Sequence, residues 1–339
     1  MITSMKDTGR TPSTDAVLGL DLGASRIRAG VVDWDGRVVS RTEARTPIEA
    51  GPQGVVTSAV GMLRRVRDAA PIAAREALAG VGISAPGPLD PARGVLVEPP
   101  NMGRAFRDVN LAAPIGTALG LPAVVERDTH VAALAEWSFG AARGLTDFLY
   151  LTVSTGIGGA IVAGGRLIGG PDGVAGELGH VLVDIDGPRC GCGGTGHLEA
   201  IASGVAIARA ASSAVGSGTA PRLASLAASR RRGLDARDVA EAEADGDPDA
   251  VAIMERARRA FAESCVSLVD VFNPERIIVG GSIARNQGER WLGPARERVS
   301  AVSFSVPRRR VEIVGAALGD DVGLIGAVAL LRRASPGPM

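Results

Sequence analysis

The chain has 339 residues, enough for two packed lobes, and its apolar fraction of 46 % is that of a folded protein. Acidic and basic side chains balance at 37 each, which excludes an overall field drawing the protein to nucleic acid or to an anionic membrane, so a charged ligand must be met locally. No apolar run approaches the roughly 20 residues that cross a bilayer, and the start, with Lys6, Asp7 and Arg10, lacks a signal-peptide core, so the expected compartment is the cytosol.

Lys6 is the only lysine, and residues 1–14 read as a disordered leader. A P-loop needs Gly-Lys-Ser/Thr, protein kinases need a strand lysine and Schiff-base chemistry needs an amine, so these mechanisms have no nucleus here. Three cysteines, Cys190 and Cys192 among them one residue apart, cannot build a disulfide framework; in a reducing compartment such crowding points to metal.

Order is expected to begin near Ala16. Val17 to Asp21, Ile27 to Asp33 and Arg37 to Arg41 read as strands, the last two joined by the turn Trp34-Asp35-Gly36. Val55, Ala59, Met62, Leu63 and Val66 recur at helical spacing, and Val81 to Ser84 gives a buried strand. After a loop rich in Pro and Gly over 85–101, a short helix is predicted near 110–119, a strand over 123–126 and a helix over 128–139. The N-terminal lobe is thus expected over 15–140 and a C-terminal lobe over 141–333. The second opens with strands over 148–154 and 159–163, then helices over 198–211 and 250–272, a strand over 276–279 and a last helix near 322–331 able to pack back on the first lobe. The stretch 212–248 stays ambiguous.

Leu18-Gly19-Leu20-Asp21-Leu22-Gly23 aligns with Leu149-Tyr150-Leu151-Thr152-Val153-Ser154, an echo that suggests two related lobes. The expected fold is α/β, two-lobed and actin-like (ribonuclease H-like), with a nucleotide in the cleft between the lobes and a phosphate-binding hairpin from each side. Taken alone, this repeat is also what any two α/β lobes would show.

Asp21, Gly23, Ala24, Ser25 and Arg26 combine a carboxylate at a strand end, a small-residue turn, a hydroxyl and a guanidinium. Backbone N–H groups, Ser25 and Arg26 suit phosphate oxygens, with Asp21 for the Mg²⁺ that accompanies ATP; an ordinary β-turn is the competing reading. Ser154-Thr155-Gly156 and Gly280-Gly281-Ser282 are further glycine turns after strands. Asp128, where a strand meets a helix, is placed either to accept a hydroxyl proton or simply to cap the helix. His130 reads as a surface or capping residue, and Cys265, on an apolar helix face, as core.

His180, Cys190, Cys192 and His197 stand within one Gly-rich loop at spacings that suit a closed tetrahedral Zn²⁺, with redox chemistry of the tight cysteine pair as the competitor. Glu177, His180 and Glu199 bracket that loop and would bring hydrogen-bond acceptors for sugar hydroxyls to one place; either glutamate reads equally well as solvated surface.

Together these segments resemble the ROK family of bacterial glucokinases, other sugar kinases and sugar-responsive repressors, over roughly residues 16–331. The resemblance rests on residues 20–25, Ser84-Ala85-Pro86-Gly87-Pro88, Asp128, residues 155–159, and Gly176-Glu177-Leu178-Gly179-His180 followed by Cys190-Gly191-Cys192-Gly193 and Glu199. It implies an ATP-dependent sugar kinase with the sugar in the same cleft as the nucleotide, Asp128 as catalytic base, Asn101, Glu177, His180 and Glu199 as sugar contacts, His180 also on zinc, and a homodimer or homotetramer. Only about 15 residues precede the first phosphate turn, too few for the repressors' DNA-binding domain, so the enzyme is expected, with a non-catalytic sugar sensor as the alternative.

Three departures stand out. The family's Gly-Gly-Thr is Gly23-Ala24-Ser25, its third zinc cysteine is His197, and its Asn-Asp pair is Arg127-Asp128, with a second Asn replaced by His130. An amide both donates and accepts, whereas a guanidinium only donates and carries charge. Arg127 as a substrate contact therefore points to a modified sugar, sugar acid or cyclitol over plain glucose.

Overall fold

The structure is a computed structural model that describes residues 15–230 and 232–334. The expected leader, with Lys6, lies outside the described residues. The chain divides into two compact units: residues up to Ala135 together with those from Asp320 on, and residues Glu136–Gly319.

The first unit opens with an antiparallel meander, β1 (Ala16–Leu22), β2 (Arg26–Asp33) and β3 (Val38–Arg45). Helices α1 (Gly51–Ala69) and α2 (Ile72–Glu76) lead to β4 (Leu78–Ala85), which lies parallel to β1. Short strands β5 (Leu89–Asp90) and β6 (Val95–Leu96), inside the region read as loop, form a small sheet with β7 (Val109–Asn110), which precedes the helix expected near 110–119. Helix α3 (Ala112–Leu119) and strand β8 (Ala123–Arg127) then run directly into α4 (Asp128–Phe139). The sheet order is β3-β2-β1-β4-β8.

The second unit repeats this plan. Strands β9 (Phe148–Val153), β10 (Ile157–Ala163) and β11 (Arg166–Leu167) form its meander. Helices α5 (Leu198–Ala202), α6 (Gly204–Gly216), α7 (Pro221–Ser229), α8 (Ala236–Ala244) and α9 (Pro248–Phe272) precede β12 (Arg276–Gly280). Helices α10 (Ser282–Gln287) and α11 (Glu289–Val302) and strand β13 (Glu312–Gly315) complete it, in the order β11-β10-β9-β12-β13. The last helix, α12 (Val322–Ala334), packs on β1 and β4 of the first unit.

The near-continuous apolar run of β1 follows from that packing, because a strand covered on both faces has no solvent side on which to alternate. Across the sheet, Gly30, Gly19 and Gly82 pair in register on β2, β1 and β4. A Cβ on Gly19 would stand 3.0 Å from the Leu324 carbonyl oxygen and one on Gly82 2.6 Å from Ala327 Cα, so this glycine row lets α12 lie directly on the strands. Part of the chain's abundance of glycine therefore serves helix-on-sheet packing.

Two differences from the sequence reading have local causes. The single helix expected over 198–211 is two, because Ser203 takes an extended conformation and its side chain accepts the Ala206 N–H at 3.1 Å, starting α6 anew. The ambiguous stretch 212–248 holds α7 and α8. Asp235 caps α8 in a reciprocal box with Asp238, and Asp247 caps α9 ahead of Pro248.

Candidate functional site

The tip of the β1–β2 hairpin closes with Gly23 N–H donating to the Arg26 carbonyl at 2.9 Å, leaving Ser25 and Arg26 exposed with Ala24 half-buried between the strands. Thr46 braces the turn from β3's end, its hydroxyl donating to the Gly23 carbonyl at 2.6 Å. Behind the turn, Asp21 lies opposite Arg28 on β2 and Ser84 on β4. Its carboxylate accepts from Arg28 Nη1 at 3.1 Å and from Ser84 Oγ at 3.0 Å. Ser84, at the head of the Ser84-Ala85-Pro86-Gly87-Pro88 segment, thus serves Asp21.

Gly323, in the first turn of α12, approaches Asp21 so closely that a Cβ there would stand 2.6 Å from its Cγ. Burial raises the Asp21 carboxyl above its ordinary value, outweighing the lowering by the Ser84 hydrogen bond and the Arg28 charge. A carboxyl whose folded-state pKa is raised weakens the fold as pH rises through that pKa, since ionisation is easier in the unfolded chain. Asp21→Asn should therefore keep or raise the urea midpoint at pH 7, with the difference from the parent shrinking as pH falls below the usual carboxylate range. A chemical melt at several pH values checks this.

At the β8–α4 junction Asp128 is exposed, and the Thr129 N–H donates to its Oδ1 at 2.7 Å. His130 is not the surface residue expected. It is buried at 2 % exposure, and its Nδ1 stands 3.1 Å from Glu126 Oε1, which also accepts the Arg127 N–H at 2.9 Å. Glu126 and His130, four residues apart, so tie the strand end to the first turn of the helix that carries Asp128. Arg127 is buried at 3 % exposure. Its side chain runs over Gly87, where a Cβ would stand 3.0 Å from the Arg127 Nε. Asn101 is exposed in the loop after β6.

In the second unit the Ser154-Thr155-Gly156 turn is held from three sides. Glu199 Oε2 accepts the Ile157 N–H at 2.7 Å and lies 2.7 Å from where a Gly156 Cβ would be. The start of α6 donates from Gly204 and Val205 N–H to the Ser154 and Thr155 carbonyls, at 2.8 and 3.2 Å. Ser282, following Gly280 and Gly281, meets Ser154 hydroxyl to hydroxyl at 3.0 Å. Gly281 has φ +90°, and a Cβ on it would stand 2.3 Å from the Val153 carbonyl oxygen, so this turn requires glycine. These segments open onto a cavity of about 820 Å³, walled further by Arg232, Asp235, Glu241, Gln287 and Arg290. The sequence reading missed these wall residues; the Asp235-x-x-Asp238 cap was the signal that α8 stands there.

The loop after β11 brings His180, Cys190, Cys192 and His197 together, with all four ligand atoms within 4.8 Å of one another. The two Nδ1 atoms are 3.3 Å apart, Cys190 Sγ is 3.8 Å from His180 Nδ1, and Cys192 Sγ is 3.3 Å from His197 Nδ1. A tetrahedral ion with bonds of about 2.0–2.3 Å sets its ligands roughly 3.3–3.8 Å apart, so the donor set and the spacing fit Zn²⁺. His180 Nε2 faces Glu177 Oε2 at 3.8 Å, the carboxylate arrangement that orients a ligating imidazole. Burial, with Cys192 nearby, raises the Cys190 thiol. Cys265 is fully buried and its thiol is pushed up to about 12 by burial, as fits an inert core residue. Asp21, Asn101, Arg127 and Asp128 belong to the first unit, and Thr155, Glu177, His180, Glu199 and Gly281 to the second.

Two like-ordered five-stranded sheets, each closing on a glycine turn, define an α/β protein of the actin-like ATPase class. The chain belongs to the ROK family, whose model matches residues 17–334. It is 34 % identical over 319 residues to the glucokinase of Thermotoga maritima, covering 94 % of this chain and 97 % of that protein. It is 31 % identical over 317 residues to the N-acetylmannosamine kinase of Shigella flexneri, covering 93 % and 98 %. The crystal structure of a ROK family glucokinase from Streptomyces griseus in complex with glucose and AMPPNP is similar with a TM-score of 0.78 at 33 % identity, covering 94 % of this chain and 99 % of that one.

Proposed function

We propose that the chain is an ATP-dependent sugar kinase that moves the γ-phosphoryl group of ATP onto a hydroxyl, the primary one, of a hexose or hexose-like substrate. The observation that carries this reading is Asp128, an exposed carboxylate fixed at the first residue of α4 by the Thr129 N–H, in a chain whose relatives include named glucokinases. In the step proposed, the sugar hydroxyl oxygen attacks the γ-phosphorus and its proton passes to Asp128. The bond from that phosphorus to the ADP oxygen breaks, and its electron pair leaves with ADP.

In this reading residues 23–26 hold phosphate oxygens from one unit, and Thr155, Gly156, Gly280 and Gly281 serve the nucleotide in the other, with the 820 Å³ cavity taking its base. Asp21 would hold the Mg²⁺ of MgATP, which would supply charge neutralisation at the phosphates. Asn101, Glu177, His180 and Glu199 contact the sugar. His180, Cys190, Cys192 and His197 hold a structural Zn²⁺ that orders their loop. The protein works in the cytoplasm as a homodimer or homotetramer. Among the described residues no helix is long and apolar enough to cross a membrane.

The substrate is the finer part of the proposal. Arg127 precedes Asp128 in the chain, and a residue with donors only and a fixed charge where the family has an amide favours an acceptor-rich substrate such as a modified sugar, a sugar acid or a cyclitol. ADP release from MgATP, measured against hexoses, amino sugars, sugar acids and cyclitols, tests both levels. The expected result is turnover with at least one acceptor, faster than with glucose, and a gain for glucose in Arg127→Asn. No turnover with any acceptor removes the kinase reading; glucose equal to every other acceptor removes the altered substrate alone.

A further inference from the structure

Beneath the wall of the large cavity lies a buried charge cluster that joins three helices. Glu243 on α8 has a side chain only 1 % exposed. Its Oε1 accepts from Arg258 Nη2 of α9 at 2.6 Å and from Arg290 Nη2 of α11 at 2.9 Å, and its Oε2 is buried without a protein partner. Arg258 in turn donates through Nη1 to Gln287 Oε1, at the end of α10, at 3.4 Å. Gln287 and Arg290 line the cavity, whereas Glu243 and Arg258 do not.

A carboxylate buried between guanidiniums adds little to stability over apolar residues of the same volume, because desolvation offsets the attraction. What it does give is geometry. Arginine can only donate, so the Gln287 atom facing Arg258 must be the amide oxygen, which leaves the Nε2 hydrogens as what Gln287 can offer a ligand. Arg290, 53 % exposed and held at one nitrogen by Glu243, offers its remaining N–H groups and its flat face. The cavity wall formed by α10 and α11 is thereby a fixed array of donors, which suits the ring nitrogens and π face of a purine.

We propose that Glu243 is a positioning residue for the nucleotide, acting through Arg290 directly and through Arg258 on Gln287, and that Arg290 and Gln287 contact the base. This rests on the reading of the cavity as the base pocket of a kinase. Arg290→Met and Glu243→Gln should each raise the KM for ATP by about tenfold, the worth of one charge-assisted hydrogen bond. The KM for the sugar and kcat should stay within about twofold, a split that a general loss of fold would not give. The double variant should fall short of the sum of the two, since Arg290 is one of the two routes by which Glu243 acts.

Val205→Trp, which fills the cavity from the start of α6, separates the two levels. Should it leave the KM for ATP unchanged, the cavity is not the base pocket and the reading beneath the proposal falls. Should it raise that KM while Arg290→Met and Glu243→Gln do not, or should the two effects add in the double variant, the positioning proposal alone is overturned. If Glu243→Gln gives no cooperative melt, Arg290→Met and Gln287→Met decide, and an unchanged KM for ATP in both overturns it.

Discussion

Asp128→Ala is expected to lower kcat by about 10²–10⁴-fold, the usual worth of a positioned general base, with the KM values for ATP and for the sugar changed little. Asp128 is exposed and its Oδ1 accepts the Thr129 N–H, and the cost of its removal to the fold is read separately from the loss of turnover. A steady-state ADP-release assay beside a thermal melt reads both quantities. Undiminished turnover in a folded Asp128→Ala protein would remove proton transfer to this carboxylate from the mechanism. Asp128→Asn keeps the hydrogen-bonding shape and loses the basicity. It should be as slow as the alanine variant if proton acceptance is the role, and close to the parent if the role is only to cap α4.

The second large effect is expected at the ligand cluster. Purified protein should carry one zinc per chain, and Cys190→Ser or His197→Ala should carry almost none. In small zinc domains the ion contributes about 10–16 kcal/mol of apparent binding free energy, which is folding free energy for the segment it closes. Here that segment is the loop from His180 to His197. Its protein contacts include the bridges Leu182 to His197 and Arg189 to Thr195, and Leu182 and Ile185 are exposed. Loss of the ion should lower the thermal midpoint and open the loop to proteolysis.

His197→Cys, which restores the third thiolate of the family pattern, should keep the metal and the melting behaviour. Elemental analysis of the dialysed proteins, with limited proteolysis, checks each outcome. A metal-free parent of unchanged stability would leave the cluster without a structural role. Because the thiols lose protons on binding, zinc retention in a chelator competition should weaken as pH falls.

The amino-acid sequence by itself determined the elements that bracket the chemistry. Strand and helix periods mark β1, β2, β4, α1 and α4 within a few residues, because apolar spacing answers directly to which face is buried. Asp21, Asp128 and the His180 to His197 set could be singled out as candidates because each sits at a strand end, a helix start or a tight loop. The same local logic marked Cys265 as core, and its complete burial follows from the apolar face of α9.

What only the tertiary structure decided is which polar groups meet across elements distant in the chain. Nothing in residues 21, 28 and 84 taken singly says that a carboxylate, a guanidinium and a hydroxyl share one point, since the pairing is set by the register of β1 with β2 and β4. His130, read as a surface or capping residue, is buried because α4 leaves β8 with no loop between them and turns that side of its first turn inward toward Glu126. Glycines 19, 30 and 82, which no local pattern distinguishes from the chain's other glycines, are the seats on which α12 rests. The walls of the 820 Å³ cavity come from α6, α8, α10 and α11, elements distant in the chain. Local propensity carries no record of which helix end will face which turn, because that choice is made by burial of the whole apolar set at once.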